Sequence, residues 1–188
     1  MHRSIRVVAI TLGVGLSCAV STGRAWAQDM PPVPKPGPEH EILKMDVGSW
    51  DAVVEMFGAP GQPPATSKGT ESNTLMGGLW LVTDFKGEMM GSPFQGRGIS
   101  GYDATKKKYV GVWADSMSPA IAHVESTYDA ATKTLTGTME AADMSGKVSA
   151  MKETVVYKDP DTRVFTMFAA GSDGSGAPMM RITYTRRK

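Results

Sequence analysis

The chain has few of the residues on which many protein chemistries depend. It contains 1 cysteine and 3 histidines among 188 residues, which excludes a disulfide scaffold and a cysteine-rich zinc site. It also lacks an excess of charge, since 20 Lys and Arg residues are balanced by 19 Asp and Glu residues. A general nucleic-acid-binding role is therefore disfavoured. The 21 glycines and 12 prolines favour many turns over long helices, and the length suits one domain.

The N-terminus carries the chain's one long apolar run, at residues 7–20. Arg3 and Arg6 precede this run, and Ala25-Trp26-Ala27 follows it with the small residues that signal peptidase recognises. We predict a signal peptide at residues 1–27 and export to the periplasm or the medium. Leu16-Ser17-Cys18 is a weak lipoprotein cleavage site, because Gly15 stands where a large aliphatic residue is expected. Cleavage after Ala27 removes the cysteine and leaves no membrane-spanning run.

Residues 28–38 are rich in proline and predict an extended leader. Residues 39–47 then predict one short helix, because Ile42, Leu43 and Val47 fall near helical spacing and Gly48 follows. A helix of this length is marginal alone and must pack against an apolar surface.

From Gly48 onward the apolar period changes from that of a helix to that of a strand. Trp50, Ala52, Val54 and Met56 share one face of the first strand. Nine further strands are predicted, separated by turn sequences, at residues 67–75, 79–85, 94–102, 108–116, 120–128, 134–140, 150–157, 164–169 and 178–186. Ten strands joined by short turns favour an all-β, closed antiparallel up-and-down barrel over residues 39–188, since closure removes exposed edges. A two-sheet sandwich is the alternative.

Several strands mix aromatic and polar residues on one face, which suits a barrel that holds a ligand. Tyr109, Trp113 and Asp115 share a face of one strand, and His123 and Glu125 share a face of the next. The alternatives are a structural hydrogen bond between Trp113 and Asp115 and an interior filled by side chains. We predict binding of a small apolar or amphipathic molecule, with a cavity lining that includes Trp80, Tyr109, Trp113, Asp115, His123, Glu125, Arg181 and Tyr184.

An ordered set of motifs runs along residues 39–186. It comprises His40 and Leu43 before Gly48-Ser49-Trp50, then Gly77-Gly78-Leu79-Trp80-Leu81, Glu88-Met89-Met90-Gly91, Gly98 with Gly101-Tyr102-Asp103, Trp113-Ala114-Asp115-Ser116-Met117, Arg163-Val164-Phe165 and Ile182-Thr183-Tyr184. This set resembles the bacterial family catalogued as domain of unknown function 1579, which has no assigned activity. The family is similar to the calycins, the barrels that include lipocalins, fatty-acid-binding proteins and nitrobindin-type haem barrels.

The resemblance implies structural roles for some of these residues. Gly48-x-Trp50 after a short helix resembles the calycin signature, in which the tryptophan packs across the barrel floor. We therefore assign Gly48, Trp50, Gly101, Tyr102 and Asp103 to the fold rather than to ligand contacts.

Other chemistries have weaker support. A haem barrel needs an axial ligand, and nitrobindin-like barrels use a histidine near the C-terminal strand, where this chain has none. A metal site would need His123 and Glu125 to meet a third ligand such as Asp115. We assign no metal ligand, cofactor or catalytic residue, and keep a haem- or metal-binding barrel as an alternative. A second alternative is a hydrolase or isomerase that uses the pocket around Asp115, His123 and Glu125.

Two further motifs are set aside. Gly96-Arg97-Gly98-Ile99-Ser100-Gly101 matches the dinucleotide-binding fingerprint, but no helix follows it to hold a pyrophosphate. We interpret these glycines as places where a barrel strand curves. The basic runs Lys106-Lys107-Lys108 and Arg186-Arg187-Lys188 lack interleaved aromatic residues, so we interpret them as solvated surface rather than as a nucleic-acid site.

Overall fold

The computed structural model describes residues 33–59, 61–142 and 145–188. Lys35–Lys188 form one compact unit, and Met1–Pro34 form a second unit of which only Val33 and Pro34 are described. The predicted signal peptide and residues 28–32 of the predicted leader lie outside the described residues.

The predicted short helix is present as two consecutive pieces. A 3₁₀ turn covers Pro38–His40, and helix α1 covers Glu41–Asp46. Pro38 suits the first position, because its fixed φ favours the helical turn and its missing N–H would have no partner there. Leu43 is buried in a cluster with Leu81 and Tyr109. This packing stabilises a helix that is too short to be stable alone.

The rest of the unit is a closed barrel of ten antiparallel strands, as predicted. Each strand pairs with its neighbours in sequence, and β1 pairs with β10 to close the ring. The strands are β1 Gly48–Met56, β2 Ala65–Met76, β3 Trp80–Met89, β4 Ser92–Asp103, β5 Lys108–Asp115, β6 Ala122–Asp129, β7 Thr134–Ala142, β8 Val148–Asp159, β9 Thr162–Phe168 and β10 Pro178–Arg186.

Strand β1 shows how residues that alternate along the sequence come to face the barrel interior and the solvent. Trp50, Ala52 and Val54 are buried, whereas Asp51 and Val53, on the opposite face, are exposed. Residues that stand opposite each other in neighbouring strands point to the same side of the sheet. The inward face of β1 therefore fixes the inward face of every other strand through the pairing register.

The two ends of the barrel differ in composition. The end next to α1 has buried polar and charged residues together with the tyrosines Tyr109, Tyr157 and Tyr184. Further along the interior, the buried cluster of Val54, Phe85, Phe94 and other apolar residues has methionines packed against it. A polar floor and an apolar upper interior result.

Candidate functional site

Trp50 and the helix close one end of the barrel. The Trp50 side chain is 1% exposed, and its Nε1–H donates to the carbonyl oxygen of Asp46 at 2.8 Å. The guanidinium carbons of Arg163 and Arg186 lie 4.7 Å and 4.1 Å from the centroid of the Trp50 ring. Such cation–π contacts add to the apolar packing of the ring. Trp50 therefore forms the floor of the interior.

Arg186 connects the end of β10 to the helix. Its Nη1 donates to the carbonyl oxygen of Val47 at 2.5 Å, and its Nη2 donates to that of Met45 at 2.8 Å. A cation at the C-terminal end of a helix satisfies carbonyls that have no partner within the helix. Arg186 thus holds α1 against the barrel.

A buried charge cluster lies beside the Trp50 ring. Arg163 Nε is 3.0 Å from Asp46 Oδ1, and Arg163 Nη2 donates to Glu71 Oε1. Asn73 Nδ2 donates to Glu71 Oε1 at 2.6 Å, and the Tyr157 hydroxyl donates to Asp46 Oδ2 at 2.9 Å. The members are all buried. One guanidinium is therefore shared by two carboxyl groups, and neutral donors satisfy part of the remaining acceptor capacity.

The pKa directions agree with this arrangement. Burial raises the pKa of Asp46 above its ordinary value, although Arg163 opposes the shift. Burial alone would lower the pKa of Arg163, but the charges of Asp46 and Glu71 outweigh it and raise that pKa. Burial also raises the pKa of the Tyr157 phenol, and Asp46 adds to that effect. Arg163 therefore stays cationic, and its positive charge is paired with the carboxyl groups of Asp46 and Glu71.

Above the floor the barrel encloses a cavity of about 550 Å³. Volumes of 300–1,000 Å³ are typical of sites for small molecules. The wall is mainly apolar and reaches Met117, which is 45% exposed in the loop after β5, so the cavity meets solvent at the end opposite α1. Eight methionines of the described part of the chain line it: Met56, Met89, Met117, Met139, Met151, Met167, Met179 and Met180.

Glu153 places a buried carboxyl group in this mainly apolar wall. It lies on β8, paired with Gly137 of β7 and Met167 of β9. Its side chain lines the cavity and is 8% exposed, and its Oε2 atom has no hydrogen-bond partner among the described residues. Burial raises the pKa of Glu153 from 4.5 to about 7.

Four of the eight residues predicted to line the interior do so: Tyr109, Trp113, Asp115 and Tyr184. Trp113 Nε1–H donates to Asp115 Oδ2 at 3.1 Å, and the Met117 N–H donates to Asp115 Oδ1 at 2.9 Å. The two side chains thus form the structural hydrogen bond that was given as the alternative, and they also line the cavity. The Tyr109 hydroxyl donates to the carbonyl oxygen of Glu39 at 2.8 Å, and burial raises its pKa to about 12.

The other four face outward, which corrects the prediction for Trp80, His123, Glu125 and Arg181. Glu125 is bound by Lys106 at 2.5 Å and Lys108 at 2.8 Å, and these hydrogen bonds lower its pKa to about 2. His123 is exposed. The pocket suggested for a hydrolase or isomerase is not assembled, since Asp115 faces the cavity whereas His123 and Glu125 do not.

Arg181 and Trp80 have partners on the outer face. Arg181 Nη1 lies 3.8 Å from Glu55 Oε2. The Trp80 ring is 38% exposed and covers Gly101, where an added Cβ would lie 2.5 Å from ring atom Cε3. Gly101 therefore provides the space that lets a large aromatic lie flat on the outside of the sheet.

The remaining residues of the structural motif have local roles. Gly48 has a φ of 120°, which disfavours other residues, and an added Cβ would lie 2.9 Å from Arg186 Nη1. The Asp103 carboxylate accepts hydrogen bonds from the backbone N–H groups of Thr105 and Lys106 at 2.8 Å and 3.0 Å and so forms the β4–β5 turn. The Tyr102 ring packs edge-on against Tyr109 with the centroids 5.2 Å apart.

The glycines that imitate a dinucleotide fingerprint have a packing role. A Cβ at Gly96 would overlap the indole of Trp113, and one at Gly98 would lie 3.1 Å from Trp113 Cε3. Trp113 thus lies against a glycine surface of β4, and this segment is a strand followed by a turn rather than a strand followed by a helix.

Sequence reasoning missed Glu153 and the floor cluster for different reasons. Glu153 had a usable signal, because it alternates with Met151, Val155 and Tyr157 on one face of a predicted strand. Asp46, Glu71 and Arg163 come from three elements that are distant in sequence, so no local pattern joins them.

Within residues 33–59, 61–142 and 145–188, no group of three or more His, Cys, Asp or Glu side chains is placed to hold a metal ion. No helix in the described part of the chain has the length and apolar character needed to cross a membrane.

Comparison with known proteins gives the family. Residues 35–186 match the family described as "Protein of unknown function (DUF1579)". The chain belongs to this DUF1579 family. No curated protein sequence matches it.

Solved structures extend the likeness of this DUF1579 protein to the fold. The crystal structure of Rv2717c from M. tuberculosis matches with a TM-score of 0.58 and 13% identity, covering 81% of this chain and 99% of that one. A redesigned β-barrel matches with a TM-score of 0.40 and 12% identity, covering 82% of this chain and 100% of that one. At such identities the first match shows a shared barrel fold and nothing about activity.

Proposed function

We propose that this DUF1579 protein binds a small apolar or amphipathic molecule inside its barrel. The observation that carries the proposal is the cavity of about 550 Å³, which is bounded by apolar side chains and interrupted by a few polar ones. This combination is typical of ligand sites, where apolar contact supplies affinity and the polar groups set orientation.

The lining supports a ligand of adaptable shape. Burial of apolar ligand surface contributes about 25 cal/mol per Å², from which association costs must be subtracted. Methionine side chains are unbranched and polarizable, so they adjust to ligands of different outline. Eight of them around one cavity favour a binding protein with broad tolerance for the apolar part of its ligand.

The test is to fill the cavity and measure the uptake of a fluorescent probe. Val124 of β6 lines the cavity and stands opposite Gly111 and Met139. Val124→Trp places an indole in the space that the probe needs. The next residue, His123, is exposed on the outer face of the same strand, so His123→Trp is the matched control. The probe is N-phenyl-1-naphthylamine, whose fluorescence rises in apolar surroundings.

We expect the wild-type protein and His123→Trp to bind the probe with equal affinity and Val124→Trp to bind it at least about tenfold more weakly. Ala141→Phe is a second filling variant, since Ala141 also lines the cavity. Thermal unfolding verifies that each variant is folded. The proposal is overturned if wild-type protein does not bind the probe, or if folded filling variants bind it as tightly as the wild-type protein does.

We also propose that the protein is exported and works in the periplasm or the medium. Arg3 and Arg6, the apolar run after them and Ala25-Trp26-Ala27 support this. N-terminal sequencing of protein from a bacterial host should give Gln28 as the first residue. Recovery of a chain that still begins with residues 1–27 from the cytoplasm would contradict the proposal.

A further inference from the structure

The charged groups around the cavity are mostly of one sign. Among the described residues, its lining includes four carboxyl side chains, Asp46, Glu71, Asp115 and Glu153, and one basic side chain, Arg163. Arg163 is already bound to Asp46 and Glu71. An anionic ligand group would therefore find no free cation among the described lining residues.

Among these carboxyl groups, Glu153 is the one available to a ligand. Asp46 and Glu71 are held by Arg163 in the floor, and Asp115 accepts hydrogen bonds from the Trp113 and Met117 N–H groups. Glu153, in contrast, makes no ion pair with any described residue, and its Oε2 atom accepts no hydrogen bond. A buried acceptor without a partner costs free energy that a ligand donor recovers on binding.

Glu153 has a glycine and a methionine as its neighbours on the two adjoining strands. Its neighbour on β7 is Gly137, which has no side chain, and Ser126 on β6 stands opposite Gly137. An added Cβ at Gly137 would lie 2.7 Å from Ser126 Cβ, so this part of the wall accommodates only glycine. On the other side, Met167 of β9 is apolar. The carboxyl group thus lines the cavity between a glycine and an apolar side chain, with Ser126 one strand beyond the glycine.

We propose that the cavity selects amphipathic amines, with the ligand ammonium group hydrogen-bonded to the Glu153 carboxylate and the apolar part against the methionines and aromatic rings. This inference rests on the proposed function. It adds the chemical class of the ligand and the residue that recognises it.

The physical reason for the selection is the pairing of charges in a site with little water. An ammonium group supplies both the donor and the opposite charge that Glu153 lacks, and such charge-assisted hydrogen bonds are stronger than neutral ones. A carboxylate ligand would place like charges together, which is unfavourable. An alcohol supplies a donor without charge and should bind with intermediate affinity. Burial raises the pKa of Glu153 to about 7, so the group is mostly ionised at about pH 8.

The experiment compares three ligands with the same ten-carbon chain at about pH 8. Decylamine, decan-1-ol and decanoate each displace N-phenyl-1-naphthylamine from the wild-type protein, Glu153→Gln and Glu125→Gln. The last variant is the matched control, because Glu125 is a carboxylate on the outer face that is paired with Lys106 and Lys108.

For wild-type protein, we expect decylamine to displace half of the probe at a concentration at least about tenfold lower than decanoate needs. This is the size of effect that one charge-assisted hydrogen bond gives. Glu153→Gln should weaken the binding of decylamine by a similar factor and should change the affinity for decan-1-ol by less than about threefold. Glu125→Gln should match the wild type.

The outcomes separate this inference from the proposed function. Probe binding with equal displacement by decylamine and decanoate would overturn the amine selection and leave cavity binding intact. Preference for decylamine that survives in Glu153→Gln would overturn the role of Glu153. Failure of wild-type protein to bind the probe would overturn both proposals. If Glu153→Gln does not fold, the comparison of amine with acid in wild-type protein still decides whether the cavity selects amines.

Discussion

The carboxyl group of Glu153, whose Oε2 has no hydrogen-bond partner among the described residues, should make the protein less stable as the pH rises. Its pKa is about 7 in the folded protein because of burial, against an ordinary value of 4.5. Between these two values the folded state binds a proton that the unfolded state has released. Stability therefore falls with increasing pH across that window and levels off above it.

The size of the effect follows from the two pKa values. A difference from 4.5 to about 7 corresponds to a loss of about 3 kcal/mol at pH 8, of which about 2 kcal/mol is lost by pH 6. Glu153 is 8% exposed, so solvent screening reduces this value little. Glu153→Gln keeps the shape of the protonated side chain and cannot ionise. The variant should therefore gain about 3 kcal/mol relative to the wild type between about pH 4 and pH 8.

Urea unfolding followed by tryptophan fluorescence measures this difference at each pH. A constant offset between the two proteins reflects the change from acid to amide, so only the pH-dependent part tests the reasoning. Glu125→Gln is the control with the opposite sign. The pKa of Glu125 is lowered to about 2 by hydrogen bonds from Lys106 and Lys108, so the wild-type carboxylate stabilises above about pH 4.5 and loses that effect as the pH falls toward 2. A difference between wild type and Glu153→Gln that stays flat from pH 4 to pH 8 would refute the burial of an unpaired carboxyl group.

Two further substitutions test the floor and the glycine surface. Arg163→Met leaves the Asp46 and Glu71 carboxyls without their shared cation. Because breaking a buried ion pair in this way costs roughly 3–5 kcal/mol, the free energy of chemical unfolding should fall by about that amount. An unchanged unfolding midpoint would contradict the presence of this buried charge cluster. Gly96→Val should cost about 1–3 kcal/mol and shift the fluorescence of Trp113, because an added side chain overlaps its indole; wild-type stability with an unshifted spectrum would contradict that contact.

Much of the fold was predictable because it depends on local patterns. Strand β5 was expected at residues 108–116 and covers Lys108–Asp115, since Tyr109, Trp113 and Asp115 alternate with smaller residues between two turn sequences. Closure was also predictable from the number of strands and the shortness of the turns. Family membership was predicted from an ordered set of motifs and is confirmed over residues 35–186.

The inward face of individual strands was harder to predict, because both faces of several strands carry bulky residues. On β6, Ala122, Val124 and Ser126 face inward and the larger His123 faces outward, and Ile121, just before the strand, is exposed as well. Register decides this, since Ser126 and Ala122 stand opposite Tyr109 and Trp113, whose rings occupy the interior. The hydrophobicity of such a strand does not separate its two faces, because both carry apolar residues. The same limitation applies to Trp80, whose outward placement depends on a glycine in the neighbouring strand.

The buried carboxyl groups of the barrel differ in their ion-pair and hydrogen-bond partners, and this difference bears on function. Asp46 and Glu71 share Arg163 and accept hydrogen bonds from neutral donors, so removal of any partner would leave a buried charge exposed to an apolar interior. Glu153 has no such partner among the described residues, and its raised pKa predicts a loss of stability at neutral pH and above that a glutamine of the same shape would avoid. A purely structural role therefore gives no reason for an acid at this position. The recognition of a cationic ligand group that we propose would give a reason, because such a ligand would supply the missing partner and recover the free energy that burial of the carboxyl group costs.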